Sequence, residues 1–115
     1  MTSADDIKKA VSASEPILRE RVEAVLHTIY DPEIPVNIYE LGLIYDLSVT
    51  DTGVVDIKMT LTAPNCPAAG MMPAEVEAKV SAIDGVTSAN VELVWDPPWD
   101  KSHMSEAARL ELGFL

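Results

Sequence analysis

The sequence is poor in the residues on which most recognisable chemistry is built. It has one cysteine, Cys66, and two histidines. One cysteine cannot form an internal disulfide, and a single thiolate cannot fill the roughly four ligand positions of a structural zinc or an iron–sulfur cluster. A free thiol fits a reducing compartment, so the cytoplasm is the expected location. Basic residues are also scarce, with 8 Lys and Arg against 19 Asp and Glu and a formal net charge of −11. Such a field repels a phosphate backbone and excludes nucleic acid from the expected partners. The start, Met1-Thr2-Ser3-Ala4-Asp5-Asp6, lacks a basic region followed by an apolar run, and no stretch approaches a membrane span, so neither secretion nor a membrane is expected. Ser/His/Asp orders, nucleotide-binding loops, paired CxxC motifs and HExxH are all missing, which argues against an autonomous enzyme.

What the chain does have is a core-forming pattern. At 115 residues and 48% hydrophobic composition, it fits one ordinary domain that buries enough apolar surface to offset its ordering entropy. Residues 1–15 read as an N-terminal arm or short helix, and residues 16–115 as the single domain. From Ser14, a candidate N-cap, the apolar positions Leu18, Val22, Val25, Leu26 and Ile29 recur at helical spacing. Pro32 and Pro35 stop this helix by Tyr30. A structured loop over residues 31–42 leads to two alternating runs joined by Asp51-Thr52-Gly53, which predicts a hairpin. Leu43, Tyr45, Leu47 and Val49 share one face of the first strand, and Val55, Ile57, Met59 and Leu61 one face of the second. Met72, Val76, Val80 and Ile83 mark another helix, closed by Asp84-Gly85. Residues 86–95 predict a third strand with Ala89, Val91, Leu93 and Trp95 inward, and residues 102–112 a final helix. The order helix, strand, strand, helix, strand, helix predicts an α+β two-layer sandwich.

Four places can carry chemistry. Cys66, in Thr62-Ala63-Pro64-Asn65-Cys66-Pro67, lies between a strand and a helix, where the positive helix end favours a thiolate that attacks electrophiles or binds soft metals. A lone cysteine is equally well read as a small buried apolar residue. Further ligands for a metal would come from His103, His27, Asp31, Glu33, Asp96, Asp100 or the Cys66 of a symmetric homodimer. His103 is the better histidine, because His27 falls on the first helix as a structural or exposed residue. Asp31 and Glu33, in Asp31-Pro32-Glu33-Ile34-Pro35, form a proline-stiffened carboxylate pair, for which the reading that Asp31 caps a turn and Glu33 is solvated is favoured over acid–base work. The loop Trp95-Asp96-Pro97-Pro98-Trp99 holds both tryptophans, Trp95 expected in the core and Trp99 at an interface.

Three ordered segments resemble one family. They are residues 31–45 (Asp31-Pro32-Glu33-Ile34-Pro35-Val36-Asn37-Ile38-Tyr39-Glu40-Leu41-Gly42-Leu43-Ile44-Tyr45), residues 60–67 (Thr60-Leu61-Thr62-Ala63-Pro64-Asn65-Cys66-Pro67) and the Trp95 to Trp99 loop. Together they are similar to the SufT family of iron–sulfur assembly factors, which includes PaaD-like proteins and the eukaryotic cytosolic targeting subunit. The resemblance covers about residues 16 to 115. It implies a fold similar to the NifU C-terminal-like domain. It also implies a non-catalytic accessory role in maturing iron–sulfur proteins, with client apoproteins and the assembly machinery as partners. In that setting Cys66 is the family's reactive cysteine and a ligand of a transient iron–sulfur cluster, while Asp31, Glu33, Asn37, Tyr39, Asp96 and Trp99 belong to partner-facing loops. Where the NifU scaffold has CxxC, Cys66 is followed by Pro67, Ala68 and Ala69, which implies a shared or passing cluster. The alternatives are a structural adaptor that recruits clients without a cluster, and a PaaD-like component of a phenylacetyl-CoA oxygenase system. The latter is disfavoured by a chain that ends at Leu115 without a cysteine-rich tail.

Overall fold

The computed structural model describes residues 15–32, 34–62 and 71–113. The expected Ser14 cap and the arm over residues 1–14 lie outside them. Helix α1 is Glu15–Leu26. It buries Leu18, Val22 and Leu26, one apolar stripe at i, i+4 and i+8. The helix ends earlier than Tyr30 because the Thr28 amide and hydroxyl both turn back to the Val25 carbonyl, at 2.9 and 2.6 Å, and close a tight last turn. Ile29 still reaches the core from that turn.

Strands β1 (Ile44–Val49) and β2 (Val54–Met59) pair antiparallel as the predicted hairpin. Gly53 makes the turn with a φ of +90°. A side chain there would also strike the Gly85 carbonyl, so only glycine fits. Helix α2 (Met72–Ser81) carries Pro73 in its first turn, where the missing amide costs nothing. It crosses over to β3 (Ser88–Leu93), which runs parallel to β2. The sheet order is β1-β2-β3. Both α1 and α2 lie on one face of it, and the other face presents Ser48, Asp56, Lys58, Asn90 and Glu92 to solvent. This is the expected two-layer α+β sandwich.

Three local expectations are corrected. Tyr45 does not continue the inner face of β1, because the register slips between Ile44 and Asp46 and leaves Tyr45 without a partner on β2. Trp95 lies beyond the last pair of β3 and is 43% exposed, so it is not a core residue. The final helix is divided into a 3₁₀ turn, Lys101–His103, and helix α3, Glu106–Leu112. Ser105 divides them: its hydroxyl accepts from the Ala108 amide at 3.1 Å and caps α3.

Leu26, Ile29, Val36, Ile38, Leu41, Leu43, Ile57 and Met59 are all essentially inaccessible. Each such side chain contributes about 1.5–3 kcal/mol relative to exposure. Since Val36, Ile38 and Leu41 come from the loop, the core that holds the sheet also fixes residues 34–42.

Candidate functional site

Three backbone hydrogen bonds bring the three motif segments to one end of the sheet. The Thr60 amide donates to the Leu43 carbonyl at 2.8 Å, and the Val94 amide to the Met59 carbonyl at 2.8 Å. The Leu43 amide donates to the Ile38 carbonyl at 3.1 Å. The end of β2, the end of β3 and the entry to β1 therefore meet where the two parallel strands finish. In open α/β sheets, the carboxyl ends of parallel strands are where ligands are usually held. From Thr62, at this end, the chain continues into residues 63–70, which include Cys66 and lie outside the described residues, as does Glu33.

The loop at residues 31–42 supplies one wall, and its polar residues are engaged with one another. Asp31 is buried, and its Oδ1 accepts from the Ile34 amide at 3.0 Å, the turn-capping role expected of it. Asn37 Oδ1 accepts from the Glu40 amide at 2.9 Å, and Asn37 bridges Tyr30. Tyr39 donates its hydroxyl to Glu23 Oε2 at 3.2 Å and packs on the His27 ring, with centroids 4.3 Å apart. Burial, and then the charge of Glu23, pushes the Tyr39 phenol above its ordinary range. The two nitrogens of His27 face the Glu23 carbonyl, 2.7 Å away, and Glu40 Oε1, 3.1 Å away. Ser105 donates its hydroxyl to Glu40 Oε2 and its amide to the Glu40 carbonyl. Glu40 thus ties α1, the loop and the start of α3 together, a role that no motif in the sequence announced.

The aromatic loop supplies the facing wall. Trp99, expected at an interface, is half-buried against the core, and its indole N–H donates to the Leu41 carbonyl at 2.7 Å. Tyr45 donates to the Pro97 carbonyl at 2.7 Å and stacks on His103 with centroids 5.4 Å apart. Burial and the nearby Asp100 and Asp96 carboxylates raise the Tyr45 phenol. Gly42, at φ +79°, faces the backbone of His103, and a Cβ there would collide with the His103 carbonyl oxygen. His103, the better metal candidate, is engaged locally, since the Asp100 amide donates to its Nδ1 at 3.2 Å and completes a capping box. Asp100 in turn accepts from the Ser102 hydroxyl and amide, which hold its carboxyl below the usual range. Asp96 is exposed. Among the described residues, no group of three or more His, Cys, Asp or Glu is placed to hold a metal ion.

The residues whose contacts remain unexplained are two to which no motif assigns a role. Thr60 is 1% exposed, and the hydroxyls of Thr60 and Thr62 are shut off from solvent without a hydrogen-bond partner among the described residues. An unpaired buried hydroxyl costs about 1–3 kcal/mol, so two of them at the root of the Cys66 segment require a reason. The signal for them in the sequence is slight: two threonines at alternate positions that continue the polar face of Asp56 and Lys58 past the end of β2.

The fold and its strand-end site define a small α+β domain, built of interlocked loops around the origin of a single-cysteine segment. The sequence model of a family described as iron–sulfur cluster assembly protein matches residues 19–93, and the chain belongs to that family. An Fe–S protein maturation auxiliary factor of Porphyromonas gingivalis is 52% identical over 96 residues, spanning 84% of this chain and 91% of that protein. The Fe–S protein maturation auxiliary factor YitW of Bacillus subtilis is 37% identical, over 86% of this chain and 97% of the relative. The crystal structure of a domain of unknown function from Bacillus anthracis superposes with a TM-score of 0.80 at 34% identity, covering 90% of this chain and 99% of its own.

Proposed function

We propose that the protein is an accessory factor in iron–sulfur protein maturation that acts in the cytoplasm and assists the transfer or insertion of a cluster into client apoproteins. It performs no catalytic turnover of its own. Cys66 acts as a transient ligand of the travelling cluster. A cluster needs about four ligands, so the others come from the client, from the assembly machinery or from the Cys66 of a second copy. The observation that supports this reading is the convergence of the three family segments at the strand ends, with the unpaired hydroxyls of Thr60 and Thr62 at the base of the Cys66 segment. Hydroxyl donors beside a thiolate or a sulfide stabilise the anionic form, as hydrogen bonds to cluster sulfurs do.

The test is anaerobic maturation of a client such as aconitase in the presence of the purified protein. Cys66→Ser is expected to abolish the stimulation of client activity while leaving the fold intact by circular dichroism. Stimulation equal to that of the unmodified protein would remove the thiol from the mechanism.

A second reading, the structural adaptor, is favoured by the exposure of Trp95. With Trp99 fixed to Leu41, Trp95 takes over the role of interface aromatic. Under that reading Trp95→Ala removes client binding and Cys66→Ser leaves it untouched.

A further inference from the structure

The two edges of the sheet are treated differently. On β1, the Thr50 amide donates to the Val54 carbonyl at 3.0 Å. Even-numbered residues therefore turn their backbone toward β2, and the Leu47 carbonyl points to the outer edge. That carbonyl is capped by Arg19, whose Nη1 lies 2.9 Å away, and the register irregularity at Tyr45 interrupts the same edge. A charged side chain and a bulge are common protections against unwanted strand addition.

Among the described residues, edge β3 has neither a side chain capping its outward carbonyls nor a bulge. The Ser88 and Val94 amides reach back to the Gly53 and Met59 carbonyls, so the alternation turns the amides and carbonyls of Ala89, Val91 and Leu93 outward. The register with β2 is unbroken from Ser88 to Leu93. The strand contains no proline, lysine or arginine, and among the described residues no strand lies beyond it. Val91 and Leu93 are only half-buried on the helix side. On the opposite face, the groups beside this edge are Asn90 and Glu92, with Asp56 and Asp46 behind them and Lys58 as the one cation of the three strands.

We infer that β3 is a docking edge for an extended segment of a partner protein whose residues alternate between apolar and cationic. The backbone of such a strand pairs with Ala89, Val91 and Leu93. Its apolar side chains cover the exposed parts of Val91 and Leu93, and its Lys or Arg side chains meet Glu92, with the Asp56 carboxylate, which accepts from Asn90 at 3.2 Å, one strand further in. A second copy of this chain is the poorer occupant, because each copy carries a net charge of −11 and brings no cation on its own β3. This inference does not depend on what Cys66 does.

The probe is a short capped peptide alternating Lys and Val, titrated to millimolar concentration into the full-length protein, with amide hydrogen exchange read by residue. The expected result is slowed exchange at Ala89, Val91 and Leu93, weakened by added salt and absent with a Glu and Val peptide. Val91→Pro removes one outward amide without touching the β2–β3 ladder and should abolish the protection. Should that variant fail to fold, Glu92→Lys changes only an exposed side chain and should weaken binding several-fold. Changes confined to another face, equal protection by the acidic peptide, or protection that grows with protein concentration alone would each overturn the proposal, the last in favour of a second copy.

Discussion

The loop at residues 31–42 mixes buried and exposed positions while the end of β2 is buried from Met59 to Leu61, and the polar groups of the two are treated in opposite ways. Asp31 and Asn37 each cap a backbone amide, and Tyr39, His27, Glu40 and Ser105 engage one another. Thr60 and Thr62 have no such partner among the described residues. The family motif in the loop is thus spent largely on shape, and the unpaired groups sit where the Cys66 segment begins. Buried polar groups that are satisfied rigidify a scaffold, and each that is not requires a structural or functional reason.

The most forceful way to break this contrast is to unlock the loop from the aromatic wall. Gly42→Ala forces a side chain into left-handed backbone and against the His103 carbonyl. Strain and overpacking together should cost about 3–5 kcal/mol. Urea denaturation measures it, and a loss below ~1 kcal/mol would mean that the two walls are not locked together at this point.

The contrast is sharpened by a pair of substitutions with opposite expected signs. Asn37→Ala should lower the unfolding free energy by ~1 kcal/mol, because it leaves the Glu40 amide without its cap. Thr60→Val keeps the side-chain shape and removes the unpaired hydroxyl, so it should raise stability by ~1 kcal/mol. In the maturation assay the order reverses, with Thr60→Val the more damaging of the two. A Thr60→Val protein that loses as much stability as Asn37→Ala would show that the hydroxyl is already satisfied.

Most of the fold is legible because burial on one face leaves a period in the sequence. Leu18, Val22 and Leu26 mark α1, and Val55, Ile57 and Met59 mark β2, in both cases because a single face is buried. The same reasoning misplaces Tyr45 and Trp95. Alternation assumes an unbroken register, and the slip after Ile44 sends the Tyr45 hydroxyl to Pro97. At Trp95 the alternation outlasts the ladder, since the pairing of β3 with β2 stops at Leu93. The Asp31 turn cap is readable because an aspartate before proline acts on its own backbone. The role of Glu40 is not, because its partners His27 and Ser105 lie 13 and 65 residues away in sequence. Ser105 does leave a local trace, a serine directly before Glu106 and Ala107, the pattern of a helix N-cap.

The smallest expected effect tests the satisfied side of the contrast through pH. The Tyr39 phenol is raised above its ordinary value of 10.0 by burial and by the charge and hydrogen bond of Glu23. A group that holds its proton more tightly when folded contributes stability that is fully present below the unfolded value. That stability is lost as pH rises through the higher folded value. Tyr39→Phe removes both the hydrogen bond and this titration. It should cost about 0.5–1.5 kcal/mol near neutral pH, and the gap to the unmodified protein should narrow above about pH 10. Tyr45 shifts in the same direction and remains in both proteins, so the difference between their stability curves isolates Tyr39. Parallel curves across that range would mean that Tyr39 does not hold its proton through Glu23, and the network around His27 would lose its evidence of tight coupling.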